Sequence, residues 1–372
     1  GFLKENAHPN YCVPCCFKTW DGPEQARRQK ECLSSTDDID SKSVRTLEES
    51  VIGKTMDDYV KGPEKMPLEQ QRIGYLPLAV QRFLDFDNKT CYISSTNTNL
   101  KQNVNCILRY GVEASQNKSF IACISDVYND FNDEKRTYSI NEFITYLTEN
   151  IITLDSYGYY QNGSLIETFY DENIDTENIN EFEKTFLYKS IDRKKENENF
   201  FLLKIINSYR NFLKYLSDPN STIDYTYMWD IVCGANKNLF PNGINMVIMD
   251  MPMDDTTNNI NLICPTNHYS HSIYDLNKST LFLVKKYNYY EPIYVIKDNR
   301  TTTNINRSIT RLFNITNNLF PKIKTLLQSF KNIFDKMCVP LNSMPKDYTF
   351  KTNYNADFIK DKLTLADFII EK

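Results

Sequence analysis

The sequence predicts an α+β protein with an N-terminal zinc-knuckle module, a helical segment, an antiparallel β-meander and C-terminal helices. Three observations predict it. Four cysteines crowd into the first 32 of 372 residues. Helical apolar spacing dominates much of the chain before residue 220. After residue 243, short apolar runs alternate with Pro, Asp, Asn and Thr clusters, as strands separated by turns do.

Taken in order, residues 1–34 form the cysteine module and residues 35–66, polar and rich in Ser, Asp and Lys, read as a linker. A mainly helical domain follows over 67–155. From Leu68 to Phe86 the spacing of Ile73, Leu76, Val80, Phe83 and Leu84 is helical, with Pro77 as a kink or restart. Residues 90–95 and 104–110 are strand candidates. Phe120, Ile121, Cys123, Ile124, Val127 and Tyr128 share one helical face, with Ser115 or Asn117 as the cap. Ser139 and Glu142 have capping-box spacing before Phe143, Ile144 and Leu147.

An α+β domain is expected over 156–300. It opens in loop and strand up to residue 177, with Gln161-Asn162-Gly163 as a turn. Helices are expected at about 180–194 and 199–217. The meander is expected in Gly243–Ile248, Asn259–Ile263, Leu281–Lys286 and Glu291–Lys297. Residues 301–372 read as a helical region, strongest in Leu319–Met337 and Ala356–Ile370.

A net charge of −5 argues against a uniformly basic nucleic-acid coat, so any contact with nucleic acid must come from a local patch. No run of apolar residues is long enough for a membrane span. The opening Gly1-Phe2-Leu3 has no signal-peptide character and reads as part of a longer chain. Heavy use of Asn, Lys, Ile and Tyr suggests an AT-rich genome, and Asn richness accounts for the sequons at Asn88, Asn117, Asn162, Asn220 and Asn314. Cys91, Cys106, Cys123, Cys233, Cys264 and Cys338 stand singly in apolar contexts. This pattern reads as a reducing compartment, one metal cluster and several buried thiols.

The metal cluster is expected at Cys12, Cys15, Cys16 and Cys32. Cys12-x2-Cys15 lets two thiolates reach one zinc from a tight turn that Pro14 stiffens. Cys16 and Cys32 can supply two more thiolates, and His8 is a spare imidazole. A second cysteine pair upstream of Gly1 is another way to complete the site. Such a Zn2+ centre is structural and closed, with no position for a reactive water, so no catalysis is assigned to it.

The string Gly1-Phe2-Leu3, Tyr11-Cys12-Val13-Pro14-Cys15-Cys16-Phe17 and Cys32 closely resembles the cysteine segment of the large subunit of the poxvirus early transcription factor. Tyr75-Leu76-Pro77-Leu78-Ala79-Val80-Gln81-Arg82-Phe83-Leu84 looks like the apolar helix after it. Longer relatives in other large cytoplasmic DNA viruses are similar to Leu108-Arg109-Tyr110-Gly111-Val112-Glu113 and Ser119-Phe120-Ile121-Ala122-Cys123. They are also similar to Leu239-Phe240-Pro241-Asn242-Gly243-Ile244-Asn245 and Tyr290-Glu291-Pro292-Ile293-Tyr294. The resemblance implies a promoter-binding initiation factor for viral early genes. It implies an ATPase small subunit and the viral RNA polymerase as partners, promoter DNA as ligand, and residence in the virion and the viral factory of the host cytoplasm. A virion structural or packaging protein that keeps the zinc module is the alternative.

From Asn299 to Phe334 there is no Asp or Glu, while Arg300, Arg307, Arg311, Lys322, Lys324 and Lys331 lie there. This is the best candidate patch for phosphate contacts, a role in which each neutralised phosphate releases counterions. A solvated helix face or a surface for an acidic subunit is the plainer reading. Cys264, His268 and His271 form only a loose metal pattern, better read as a turn. Asp250, Asp254, Asp255, Glu291 and Lys297 lack the spacing of a nuclease core. No phosphate-cradling glycine loop is present, so ATP hydrolysis is left to a partner. Among Tyr287, Tyr289, Tyr290 and Tyr294, strand alternation should turn about half into the core and leave the rest available for stacking.

Overall fold

The structure is a computed structural model. It describes residues 59–132, 136–172, 178–252, 259–265, 274–299, 307–317, 319–320 and 322–338. The cysteine module and the segment Ala356–Ile370 lie outside the described residues.

One mixed sheet organises the described chain. Its strands are β1 (Ile73–Gly74), β2 (Asn105–Tyr110), β3 (Ile244–Met251), β4 (Asn261–Ile263), β5 (Ser279–Lys286), β6 (Tyr289–Asp298) and β7 (Arg307–Thr310). The order is β1-β2-β6-β5-β3-β4. β5 flanks the first part of β6 and β7 the last part, from Val295 to Asp298. All neighbouring pairs are antiparallel except β3 and β5, which run parallel in register from Ile244 opposite Ser279 to Met251 opposite Lys286.

The four expected runs are therefore strands, but they do not form an antiparallel meander. A meander would place β4 between β3 and β5, and the structure puts it on the outer edge instead. The burial of the strands explains the difference. Leu281 to Val284 are all buried, whereas β4 has an exposed Asn261 and two half-buried residues. A strand apolar on both faces belongs inside a sheet, and a short half-polar one belongs at its rim.

Alternation along the strands divides the core between the two faces. Cys106, Leu108, Met246, Ile248, Leu281, Leu283, Tyr294 and Ile296 point to the first face. Ile107, Val247, Met249, Phe282, Val284, Ile293 and Val295 point to the second. This period of two follows from strand geometry, and burial on both sides is why the strands read as nearly continuous apolar runs.

The chain between β2 and β3 covers the first face. It forms α2 (Ser119–Phe131), α3 (Ile140–Tyr146), α4 (Leu154–Tyr157), α5 (Ser164–Phe169), α6 (Phe186–Ser190), α7 (Glu196–Ser217) and α8 (Tyr225–Cys233). The second face carries α1 (Leu78–Phe83) and α9 (Ile323–Met337). In α9 the buried residues Ile323, Leu327, Phe330 and Phe334 make one stripe at helical spacing. In α7 the stripe is Leu202, Ile205, Ile206, Tyr209, Phe212 and Leu216. Burying each of these large side chains contributes roughly 1.5–3 kcal/mol.

Several local expectations change. The run 68–86 holds β1 and only a short helix, because the strap before Pro77 is drawn onto β2 by Arg109. Residues 90–95 are not a strand; a tight 3-10 turn spans Asn88–Cys91, capped by Asp87, which accepts from Lys89 N at 2.9 Å. The stretch 150–177 carries helices, because Thr153 and Ser156 form a reciprocal cap that starts α4. The helix expected at 180–194 shortens to α6, which is capped by Thr185, whose side chain accepts from Tyr188 N. Ser139 and Glu142 do form the capping box of α3. Residues 59–66, expected in a linker, pack onto the sheet, with Val60 buried. Likewise, the segments 67–155 and 156–300 share one sheet, and the expected helical region 301–372 contributes a strand to it, β7, because Arg307–Thr310 pairs with the end of β6.

The isolated cysteines are also not all thiols. Cys91 is bonded to Cys106, and Cys264 to Cys338. Cys123 and Cys233 are the free cysteines among the described residues. Spacing along the chain hides such pairs, because a disulfide needs only that two Cα atoms approach in space, here to 5.8 and 5.4 Å.

Candidate functional site

The basic residues of the expected phosphate patch are not gathered into one strip. Arg311 lies against α2, on the first face. Its Nε is 2.9 Å from Asp126 Oδ2, and its Nη1 is 3.0 Å from Asp130 Oδ1. The guanidinium also stands over the Tyr294 ring at 5.4 Å, and Tyr294 OH donates to the same Asp126 oxygen at 2.8 Å. Burial opposes the charge on Arg311, but Asp126 and Tyr294 beside it hold its pKa above the ordinary value. A phosphate would have to displace two carboxylates to reach it. Arg307 lies in β7, opposite the fully buried Asp298. Arg300 lies outside the described residues.

Lys322 and Lys324 sit at the start of α9, on the second face. Lys322 makes an exposed ion pair with Asp85, a contact worth at most about 1 kcal/mol. Lys324 is exposed, turned away from the buried stripe. Lys331 pairs with Asp335 at 2.9 Å. The acid-free stretch of sequence thus draws its counter-charges from elsewhere in the chain and from Asp335 just beyond it.

The acidic residues weighed for a nuclease core are similarly committed. Asp250 pairs with Lys285 at 3.1 Å. Glu291 is buried in β6 against Arg109 of β2, with Nη1 to Oε2 at 2.7 Å. Its other oxygen accepts from Leu68 N at 2.6 Å. Arg109 donates further to the carbonyls of Tyr75, Lys65, Gly62 and Pro63. Burial raises the Glu291 pKa, and Arg109 and Leu68 N oppose that rise. This pair is a structural clamp that fastens the strap 62–75 to the sheet. Gly111 completes the clamp: a Cβ there would lie 1.9 Å from Glu69 O, so only glycine permits the strap to come so close.

Asp254, Asp255, His268 and His271 lie outside the described residues, as do Cys12, Cys15, Cys16 and Cys32. Cys264 is tied to Cys338. Among the described residues, no three His, Cys, Asp or Glu side chains converge as a metal ion would need. Nor is any described helix long and apolar enough to cross a membrane. Of the four tyrosines in and before β6, Tyr290 and Tyr294 are buried, Tyr289 is half-buried and Tyr287 is exposed.

A cleft of about 310 Å³ escaped sequence reasoning. It opens where the turn between α4 and α5 meets α8 and the first residues of β3. Tyr159, Tyr160 and Trp229 form aromatic walls, with Asp230, Cys233 and Lys278 beside them. Gln161, Asn162 and Gly163 all have positive φ, at 50°, 53° and 81°. Asp230 Oδ2 holds this turn by accepting from Gln161 N at 2.6 Å. Its sequence signals were the Gln-Asn-Gly turn and a tryptophan in the middle of a short apolar helix, and nothing in the sequence joined them.

No protein-family model matches the chain, and no curated protein or solved structure matches it.

Proposed function

We propose that the chain is part of the large subunit of an early transcription initiation factor of a large cytoplasmic DNA virus. In this reading it binds early-promoter DNA and, with an ATPase small subunit, recruits the viral RNA polymerase. The observation that carries it is the string Tyr11-Cys12-Val13-Pro14-Cys15-Cys16-Phe17 with Cys32, whose spacing also suits a structural Zn2+. The chain itself is assigned no catalysis: Glu291 and Asp250, the carboxylates nearest to a nuclease arrangement, are held by Arg109 and Lys285. DNA contact falls on Arg300, Lys322 and Lys324 rather than on Arg311, whose charge two carboxylates already balance.

A virion structural or packaging role is the second reading. The two disulfides favour it, since such bonds persist in virions and are rare in cytosolic proteins. One experiment separates the two. The tagged chain is used to capture partners from infected-cell extract, and its binding to early-promoter DNA is measured across a salt series. Recovery of polymerase and the ATPase subunit, with promoter binding that weakens steeply with salt, supports the first reading. Recovery of capsid layers alone supports the second.

A further inference from the structure

We propose that the cleft between Tyr159, Trp229 and Lys278 is a binding site for a small planar ring that carries one phosphate, of the nucleoside monophosphate class. This inference is independent of the transcriptional reading.

The cation is the first support. Lys278 lies in the turn before β5, and Asn245 of β3 locks that turn in place. Asn245 Nδ2 donates to the carbonyls of Asp275 and Lys278 at 2.7 and 3.3 Å, and its Oδ1 accepts from Asp275 N at 3.1 Å. Gly243, with φ +65°, leaves room beside the ammonium; a Cβ there would lie 3.2 Å from Lys278 Nζ and 2.5 Å from Cys233 O. Among the described residues no carboxylate pairs with Lys278. Asp230 and Asp275, which also line the cleft, keep their charge but are oriented by neutral donors: Asp230 accepts from Gln161 N, and Asp275 accepts from Asn277 N and Nδ2. A cation held in a cleft with no ion pair among the described residues is a place for an anion.

The walls are the second support. The Trp229 ring is nearly buried and braced edge-on by Tyr225, with centroids 6.2 Å apart. Tyr160 is half-buried, and Tyr159 is 48% exposed at the mouth. The exposed ring of Tyr159 can accept a planar ring by stacking, with Tyr160 and the buried Trp229 lining the same cleft.

Size and charge narrow the class. A volume of about 310 Å³ stands at the bottom of the range for small-molecule sites, about 300–1,000 Å³. A dinucleotide does not fit that space, and one lysine does not balance a triphosphate. Burial pushes the Cys233 thiol up, with Asp230 adding to the shift and Lys278 opposing it.

The test uses the whole chain. It has two tryptophans, so Trp20→Phe leaves Trp229 as the only indole reporter. AMP, GMP, CMP and UMP are titrated against Trp229 fluorescence and checked by equilibrium dialysis. At least one should bind saturably. Lys278→Met should weaken that nucleotide about tenfold or more, the loss expected for one charge-assisted contact, and leave the weaker binding of the matching nucleoside unchanged. Tyr159→Ala, at the exposed mouth, should weaken nucleotide and nucleoside alike, with unchanged thermal melting. The proposal fails if no monophosphate binds saturably at millimolar concentration, if Lys278→Met leaves the affinity unchanged, or if ribose 5-phosphate binds as tightly as the nucleotides.

Discussion

Arg109 Nη1 and Glu291 Oε2 are 2.7 Å apart in the interior of the sheet, on β2 and β6, with side chains 0% and 2% exposed. Four backbone carbonyls of the strap 62–75 converge on the same guanidinium. Removing one member leaves the other charged and dry. Arg109→Ala should therefore cost about 3–5 kcal/mol in urea unfolding. Glu291→Leu should cost a similar amount. The double variant Arg109→Met with Glu291→Leu should cost clearly less than the sum of the singles, since it strands no charge. Arg109→Lys should not rescue, because one ammonium cannot reach the five acceptors that the planar fork serves.

The two disulfides close loops of different length, with sequence separations of 15 and 74 residues. Loop-closure entropy ranks them: about 3 kcal/mol for the shorter and about 4 kcal/mol for the longer. Cys338→Ser should lower the thermal midpoint more than Cys106→Ser. Hydrogen exchange should show the Cys338→Ser loss concentrated in α9, which Cys338 follows directly. Equal midpoints for the two variants would count against this ranking.

Glu142 is held below the usual carboxylate range, first by the hydrogen bond from Ser139 N, then by the Ser139 hydroxyl, with Arg136 adding to it. A carboxylate whose pKa falls on folding contributes stability above its unfolded pKa, near 4.5, and loses it as pH drops through the folded value. Glu142→Gln should lower the urea midpoint at pH 7 and leave it close to wild type well below pH 4.5. A midpoint difference that persists undiminished in acid would show that packing, not charge, makes the cap matter.

Arg311→Glu and Lys324→Glu separate architecture from DNA contact. The first puts a third carboxylate beside Asp126 and Asp130 and should cost roughly 2 kcal/mol or more of stability. The second alters an exposed position and should stay within about 0.5 kcal/mol. If the start of α9 meets phosphate, Lys324→Glu alone should reduce the salt slope of promoter binding by about one.

Zinc content tests the cysteine module directly. The full chain should carry about one equivalent of Zn2+, and Cys12→Ser or Cys15→Ser should lose it, because two thiolates of one turn anchor such a site. A wild-type content below about half an equivalent removes the site from the proposal.

Much of the fold was legible in local patterns. The strand residues of β3, β5 and β6, the amphipathic stripes of α2, α7 and α9, and the Ser139–Glu142 cap all follow from periodicities of two and 3.6 or from a fixed spacing. The phosphate patch misled because absence of acid along the chain says nothing about acid across space: Asp126, Asp130 and Asp85 come from distant segments to meet Arg311 and Lys322.

The sequence by itself determined the strand character of β3, β5 and β6, the helical character of α2, α7 and α9, and which face of each is apolar, because those properties are set by neighbours along the chain. It also carried the cysteine spacing on which the functional proposal rests. Only the tertiary structure decided that β5 lies parallel to β3 with β4 at the rim, that Cys91 meets Cys106 and Cys264 meets Cys338, that Arg109 is a clamp, and that Lys278 and Trp229 line one cleft. Those outcomes depend on which buried surfaces complement one another at long range, and no local spacing encodes that match.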